Sequence, residues 1–174
     1  MIFQDYAKAL LPWRHAYGNV SLALEARGVP TKQREPIIMN LLEKVGLADH
    51  YKKLPSELSG GMQQRLQIAR CLAMEPRLLL MDEPFGALDA LTRQTLQDEV
   101  ARIASETGVG VIFVTHDLEE AIYLGDRVIS LDKNPGRIRE IRDINLPRPR
   151  TQLETRATVE FLDHRHHLFN ILQH

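Results

Sequence analysis

The chain has 174 residues, 44% hydrophobic and 26% charged, with a formal net charge of -1. That length suits one domain or most of one and can bury a core, while the balanced charge gives no global attraction to nucleic acid or an anionic membrane. Cys71 is the only cysteine, which excludes a disulfide framework and fits a reducing compartment. No apolar run reaches the length of a membrane span, and the opening MIFQDYAKALLPW lacks the basic start and cleavage site of a secretory signal. The expectation is a soluble, cytosolic chain that can still sit on a membrane protein.

The first third reads helical. GNVSLALEARG opens on Asn19 as an N-cap and closes on Gly28. EPIIMNLLEKVG pairs Ile37/Ile38, Leu41/Leu42 and Val45, stops at Gly46, and places Pro36 in its first turn. A third helix follows Ser59, with Met62, Leu66, Ala69 and Ala73 on one face. After Pro76 the pattern changes. RLLLMD, GVGVIFVTHD and DRVISLD read as three buried strands. An amphipathic helix with Leu96, Val100 and Ile103 inward joins the first two, and the short helix DLEEAIYLG joins the last two. Buried strands alternating with helices predict an α/β fold with a parallel sheet. KNPGRIREIRDINLPRPR predicts a turn, an edge hairpin or strand, and an extended exit; LETRATVEFLDHRHHLFNILQH predicts one amphipathic helix.

Ligands of such sheets sit beyond the carboxyl ends of the strands. Asp82 and Glu83 lie there, at the end of the first strand, followed by Pro84. Unpaired buried carboxylates are costly, so these acids face a cation or water. One carboxylate with phosphate oxygens and waters makes a magnesium site, and its neighbour can polarise an attacking water. The other reading is a pair of acids capping the next turn. His116 ends the second strand and is either structural or catalytic. FGALD, Phe85 to Asp89, is a tight turn whose last acid also serves as an ordinary helix cap. LSGGMQQR opens the third helix. Its glycines, free N–H groups and Ser59 hydroxyl suit a phosphate, or form a plain Ser cap with a Gly-Gly turn.

Taken in order, LSGGMQQR, LLLMDEPFGALD and VIFVTHD resemble the ATP-binding subunit of ABC transporters. LLPWRHAYGNV and NPGRI with INLPRPR are similar to the importers of nitrate, sulfonate, taurine and bicarbonate. The resemblance implies a P-loop NTPase-type parallel sheet with an inserted all-α subdomain. It implies a Q-loop and helical subdomain over 1–60, the remaining nucleotide-binding core over 61–150, and a helical tail over 151–174. It implies ATP and Mg2+ as ligands. Ser59, Gly60 and Gly61 contact the γ-phosphate of an ATP held by the partner subunit, and Gln63 and Asp89 also belong to the nucleotide-binding set. Asp82 supports the magnesium ion, Glu83 is the base for the attacking water, and His116 senses the γ-phosphate. Asp89 organises the dimer face, and Gln4 contacts both nucleotide and magnesium. The implied partners are a second ATPase subunit in a homodimer or heterodimer, transmembrane permease subunits and a substrate-binding protein, with no nucleic acid. The implied location is peripheral, on the cytoplasmic side of the bacterial inner membrane.

The sequence departs from the family in one respect. The phosphate loop G-x-x-x-x-G-K-[ST] is absent, since no Gly-Lys pair occurs in the chain. An N-terminally truncated chain is therefore expected, with its sheet edges open to association, and hydrolysis is expected only of the full-length protein. A catalytically inactive chain with a regulatory role, or none, is the alternative. A chromosome-maintenance ATPase would need long coiled-coil heptads between Gln4 and Ser59, and none are present. Among weaker signals, His164, His166 and His167 read as a solvated helix face ahead of a metal site. Cys71 reads as a core residue. Trp13 reads equally as a docking aromatic or a packed side chain.

Overall fold

The computed structural model describes residue 2, residues 9–86 and residues 88–173. The chain divides into two compact units, Met1–Ile112 and Phe113–His174. No helix among the described residues is long and apolar enough to cross a membrane.

The first unit begins with helices. α1 (Ala16–Ala26) starts after His15, four residues earlier than an Asn19 cap would place it. Asn19 is buried inside the helix and reaches backward instead. Its Nδ2 donates to the carbonyls of Arg14 (2.8 Å), Leu11 and His15 (both 3.2 Å), and its Oδ1 accepts from Leu11 N–H at 2.9 Å. The amide thus caps the incoming turn as a tertiary contact, which sequence spacing alone does not separate from a helix cap. Gly28 closes the helix at φ +73°, with Val29 N–H donating to the Leu24 carbonyl. α2 (Thr31–Lys44) carries Pro36 at its sixth position, further in than the first turn. Gly46, at φ +66°, follows its end. α3 (Gly60–Leu72) runs from its Ser59 cap. The three helices pack on one another through Val20, Leu24, Ile38, Leu42, Leu47, Leu66 and Ala69, all buried.

Chain direction then switches to sheet. β1 (Leu78–Asp82), α4 (Ala90–Thr107) and β2 (Gly110–Val114) follow, with β1 and β2 in one sheet. Ile2 bridges Met81 in parallel, donating to the Leu80 carbonyl at 2.8 Å and accepting from Asp82 N–H at 3.0 Å. Leu96, Val100 and Ile103 of α4 face inward as their spacing predicts. β2 differs from the buried strand expected: Ile112 and Val114 are exposed.

The second unit holds α5 (Leu118–Leu124), the antiparallel pair β3 (Arg127–Leu131) and β4 (Ile138–Asp143), and α6 (Val159–Gln173). DRVISLD is therefore half of a hairpin and not a third strand of the first sheet. Its partner IREIRD carries charges that a central buried strand cannot accept, and Arg127 pairs with Asp143 at 2.9 Å. The core is Ile122, Tyr123, Ile144, Leu146, Phe161 and Leu168. The buried Arg150 guanidinium donates to the carbonyls of Ile122, Tyr123, Gly125 and Leu146, which satisfies the open end of α5. The tail is not one helix: Thr155–Ala157 forms a 3-10 turn, and Thr158 Oγ1 accepts from Phe161 N–H to start α6 afresh.

Candidate functional site

Two helices of the first unit open with the same device. Ser59 is extended (φ -64°, ψ 162°) and its Oγ accepts from Met62 N–H at 3.3 Å. Asp89 is extended (φ -63°, ψ 161°) and its Oδ1 accepts from Thr92 N–H at 3.0 Å. Hydrogen bonds from the Thr92 side chain and backbone hold the Asp89 carboxyl below the usual aspartate range. The two caps meet through Gly61, where a Cβ would fall 2.7 Å from Thr92 Cγ2. Gly61 is thus demanded by space. Gln63 faces back under the first turn, its Nε2 donating to the carbonyls of Pro55 (3.0 Å) and Leu58 (3.1 Å). That amide fixes the loop that delivers Ser59.

Asp82 is the last residue of β1 and is exposed. Glu83 follows at φ +43°, unusual for a residue with a side chain. Holding it there costs on the order of 1–2 kcal/mol, and strain of this kind gathers at functional positions. The turn that imposes it is anchored by Pro84 and Phe85, both buried, with Gly86 N–H donating to the Glu83 carbonyl and Leu88 N–H to that of Phe85. The same turn leads into Asp89.

His116 belongs to the second unit and is exposed between two fixed neighbours. Thr115 Oγ1 donates to Glu120 Oε2 at 2.8 Å and accepts from Asp117 N–H at 3.0 Å. Asp117 Oδ1 accepts from the Glu119 and Glu120 N–H groups and caps α5. The loop carrying His116 is therefore clasped on both sides. Gln4 lies outside the described residues. Sequence reasoning missed Thr92, although its position three after Asp89 is the cap spacing, and it missed the Glu83 backbone, for which no signal exists.

The ABC transporter family pattern matches residues 1–86. The chain is 47% identical over 173 residues to an uncharacterized ABC transporter ATP-binding protein of Methanocaldococcus jannaschii, covering 99% of this chain and 62% of that protein. The chain belongs to the ABC transporter family. It is also 46% identical over 176 residues to the nitrate import ATP-binding protein NrtC of Synechococcus elongatus, covering 99% of this chain and 26% of that protein. Among solved structures it is similar to cbiO1 of Clostridium perfringens, part of the ABC transporter complex cbiONQ. The TM-score is 0.76 and the identity 27%, over 82% of this chain and 55% of that one. The chain thus spans less than two thirds of the length of each of these relatives.

ABC ATPases use ATP. Ser59, Asp82, Asp89 and His116 are all exposed. A cleft of about 630 Å³ lined by Ile37, Leu41, Leu72, Pro76 and Val109 contains none of them. Each of these side chains is therefore open to solvent outside that cleft. No group of three His, Cys, Asp or Glu side chains among the described residues could cage a metal ion. Magnesium needs no such cage, because one carboxylate with phosphate oxygens and waters suffices. The exposed Asp82 at the strand end fits that role.

Proposed function

We propose that these residues belong to an ATP-hydrolysing subunit that energises a membrane importer of a small anion such as nitrate, sulfonate, taurine or bicarbonate. The likeness to a nitrate import ATP-binding protein across nearly the whole chain is the observation that carries this reading. In it, the α3 N-terminus with Ser59, Gly60 and Gly61 closes on the γ-phosphate of an ATP held mainly by a second ATPase subunit. Gln63 supports that turn from beneath. Asp82 would hold Mg2+, which supplies charge neutralisation to the phosphates, and Gln4 would contact it. Glu83 accepts a proton from the attacking water; the water oxygen bonds to the γ-phosphorus as the bond to the β–γ bridging oxygen breaks, giving ADP and phosphate. His116 contacts the transferred phosphoryl group, and Asp89 sets the face presented to the partner. Permease subunits and a substrate-binding protein complete the assembly at the cytoplasmic face of the membrane, with residues 1–60 as the part that meets the permease.

The absence of a Gly-Lys pair favours a second reading for the 174-residue chain by itself, an inactive or regulatory subunit. One experiment covers both. Replacing Glu83 by Gln at its native locus is expected to lower uptake of one labelled anion among nitrate, bicarbonate and taurine by about 100-fold or more. Calorimetry on the purified chain alone is expected to show no ATP binding. Unchanged uptake of all three anions overturns the importer reading, and tight ATP binding overturns the inactivity of the isolated chain.

A further inference from the structure

The cleft of about 630 Å³ in the first unit has one wall built from a single face of α2. Ile37, Asn40, Leu41 and Lys44 follow one another there at helical spacing. Ile38 and Leu42 already fill the bundle core and are fully buried, so the half-buried Ile37 and Leu41 form a second apolar stripe that faces the cleft. The opposite wall is Leu72 at the end of α3, with Pro76 and Val109 on the segments that enter β1 and β2. The volume falls within the usual range of small-molecule sites, about 300–1,000 Å³. The charges around the cleft are unequally matched. Arg27 donates from Nη1 to the Ala73 carbonyl at 2.9 Å and pairs through Nη2 with Glu75. Arg102 donates to the Lys44 carbonyl and pairs with Glu106 at 2.8 Å. The Lys44 ammonium and the Asn40 side-chain amide, one turn apart, have no hydrogen-bond or ionic partner among the described residues. Lys44 is itself half-buried.

We propose that this cleft binds an amphipathic monocarboxylate, its carboxylate on Lys44 and Asn40 and its hydrocarbon between Ile37 and Leu41 on one side and Leu72, Pro76 and Val109 on the other. A small inorganic anion would leave the apolar walls in water. A neutral apolar ligand would cover the ammonium without giving it a partner, which is costly. An amphipathic anion meets both demands. From Pro36 to Lys44 the helix rises about 12 Å, room for an extended chain such as octanoate. A second carboxylate on the ligand would find no unpaired cation, because Arg27 is already held by Glu75. A site here stands whether or not the chain energises an importer.

The test is a titration of the full 174-residue chain with octanoate, followed through the methyl resonances of Ile37, Leu41 and Val109. Saturating shifts at these methyls are expected, with a Kd of about 1 mM or below. Lys44→Met keeps the length of the side chain and removes its charge. It is expected to weaken octanoate about tenfold and to leave the binding of octanol, the uncharged analogue, unchanged. No saturation at these methyls overturns the proposal, and so does equal octanoate affinity in Lys44→Met and the unsubstituted chain. Shifts confined to the exposed Ile129 and Ile141 of the hairpin would mark general uptake by apolar surface and also overturn it. Should Lys44→Met fail to fold, octylammonium serves on the unsubstituted chain: it is expected not to compete with octanoate, and equal binding of the two overturns the role of Lys44. Neither nucleotide nor permease is present, so a failed titration leaves the importer reading standing, and a failed uptake assay leaves this site standing.

Discussion

Asn19 and Gly61 are each placed by contacts that lie outside their own helix turn. Asn19 spends its whole amide on three carbonyls and one N–H of the segment entering α1. Replacing it by Ala leaves the Leu11 N–H and the Arg14 carbonyl without this partner, while the Leu11 and His15 carbonyls keep the N–H groups of Arg14 and residue 19, and each unsatisfied group costs about 1–3 kcal/mol. Asn19→Ala is therefore expected to lose roughly 2–4 kcal/mol of stability, read as a lower urea midpoint at unchanged slope. A loss under about 0.5 kcal/mol would mean that water substitutes for the amide. Gly61 is legible in the sequence as a glycine at a helix mouth, where the natural reading is open backbone for an anion. Its actual constraint is Thr92 from the facing helix, 31 residues along the sequence, and no local pattern reports that. The Ser59 and Asp89 caps were legible because a cap is a contact three residues long.

Among the elements, the β4–α6 junction carries a titratable contact. Arg142 Nε donates to His164 Nδ1 at 2.8 Å, which requires the neutral imidazole with its proton on Nε2. Burial first, and then the Arg142 charge, lower the His164 pKa, with Asp163 opposing and His167 and Arg150 adding to the shift. A histidine depressed on folding binds its proton more readily when unfolded. The junction is therefore fully stable above the ordinary histidine value of about 6.5 and loses stability as pH falls from there toward the lowered folded value. Amide exchange of α6 is expected to accelerate over that range in the unsubstituted chain and to do so less in His164→Gln. An identical pH dependence in both would place the titration elsewhere. His167 approaches Glu140 at 2.9 Å across the same junction, so His164 and His167 pack α6 against the hairpin while His166 stays exposed. Sequence periodicity found α6 and found the hairpin as an option, because both are local patterns. It could not assign β3, whose apolar residues fit a buried strand equally well until the charges of β4 are known to lie opposite them.

For the molecule as a whole, the chain order of strand, helix and strand around LSGG, DEP and THD was enough to reach the family, since those motifs are short and each lies at an element end. What the motifs do not encode is which faces of the elements are covered. The hairpin shows the consequence. Ile129 stands opposite Ile141, and Leu131 opposite Ile138, so four aliphatic side chains share one face. All four are more than half exposed, with Ile129 at 52% and Leu131 at 61%. Monomeric proteins rarely leave such a patch in water, and burying each of these side chains is worth about 1.5–3 kcal/mol. The antiparallel pair also has unpaired edges, which recruit other strands. The isolated 174-residue chain is therefore expected to self-associate through this face, with a weight-average mass that rises with concentration in sedimentation equilibrium. Replacing Ile129 and Ile141 by Thr keeps β-propensity while removing apolar area from the centre of the patch. That pair of changes is expected to weaken association at least about tenfold, since a loss of only 1.4 kcal/mol is a factor of ten. A concentration-independent monomer would show that the exposed face is tolerated in water, and association unchanged in the double variant would move the contact to another surface, the exposed Leu78 and Ile112 of the first unit being the next apolar pair to test.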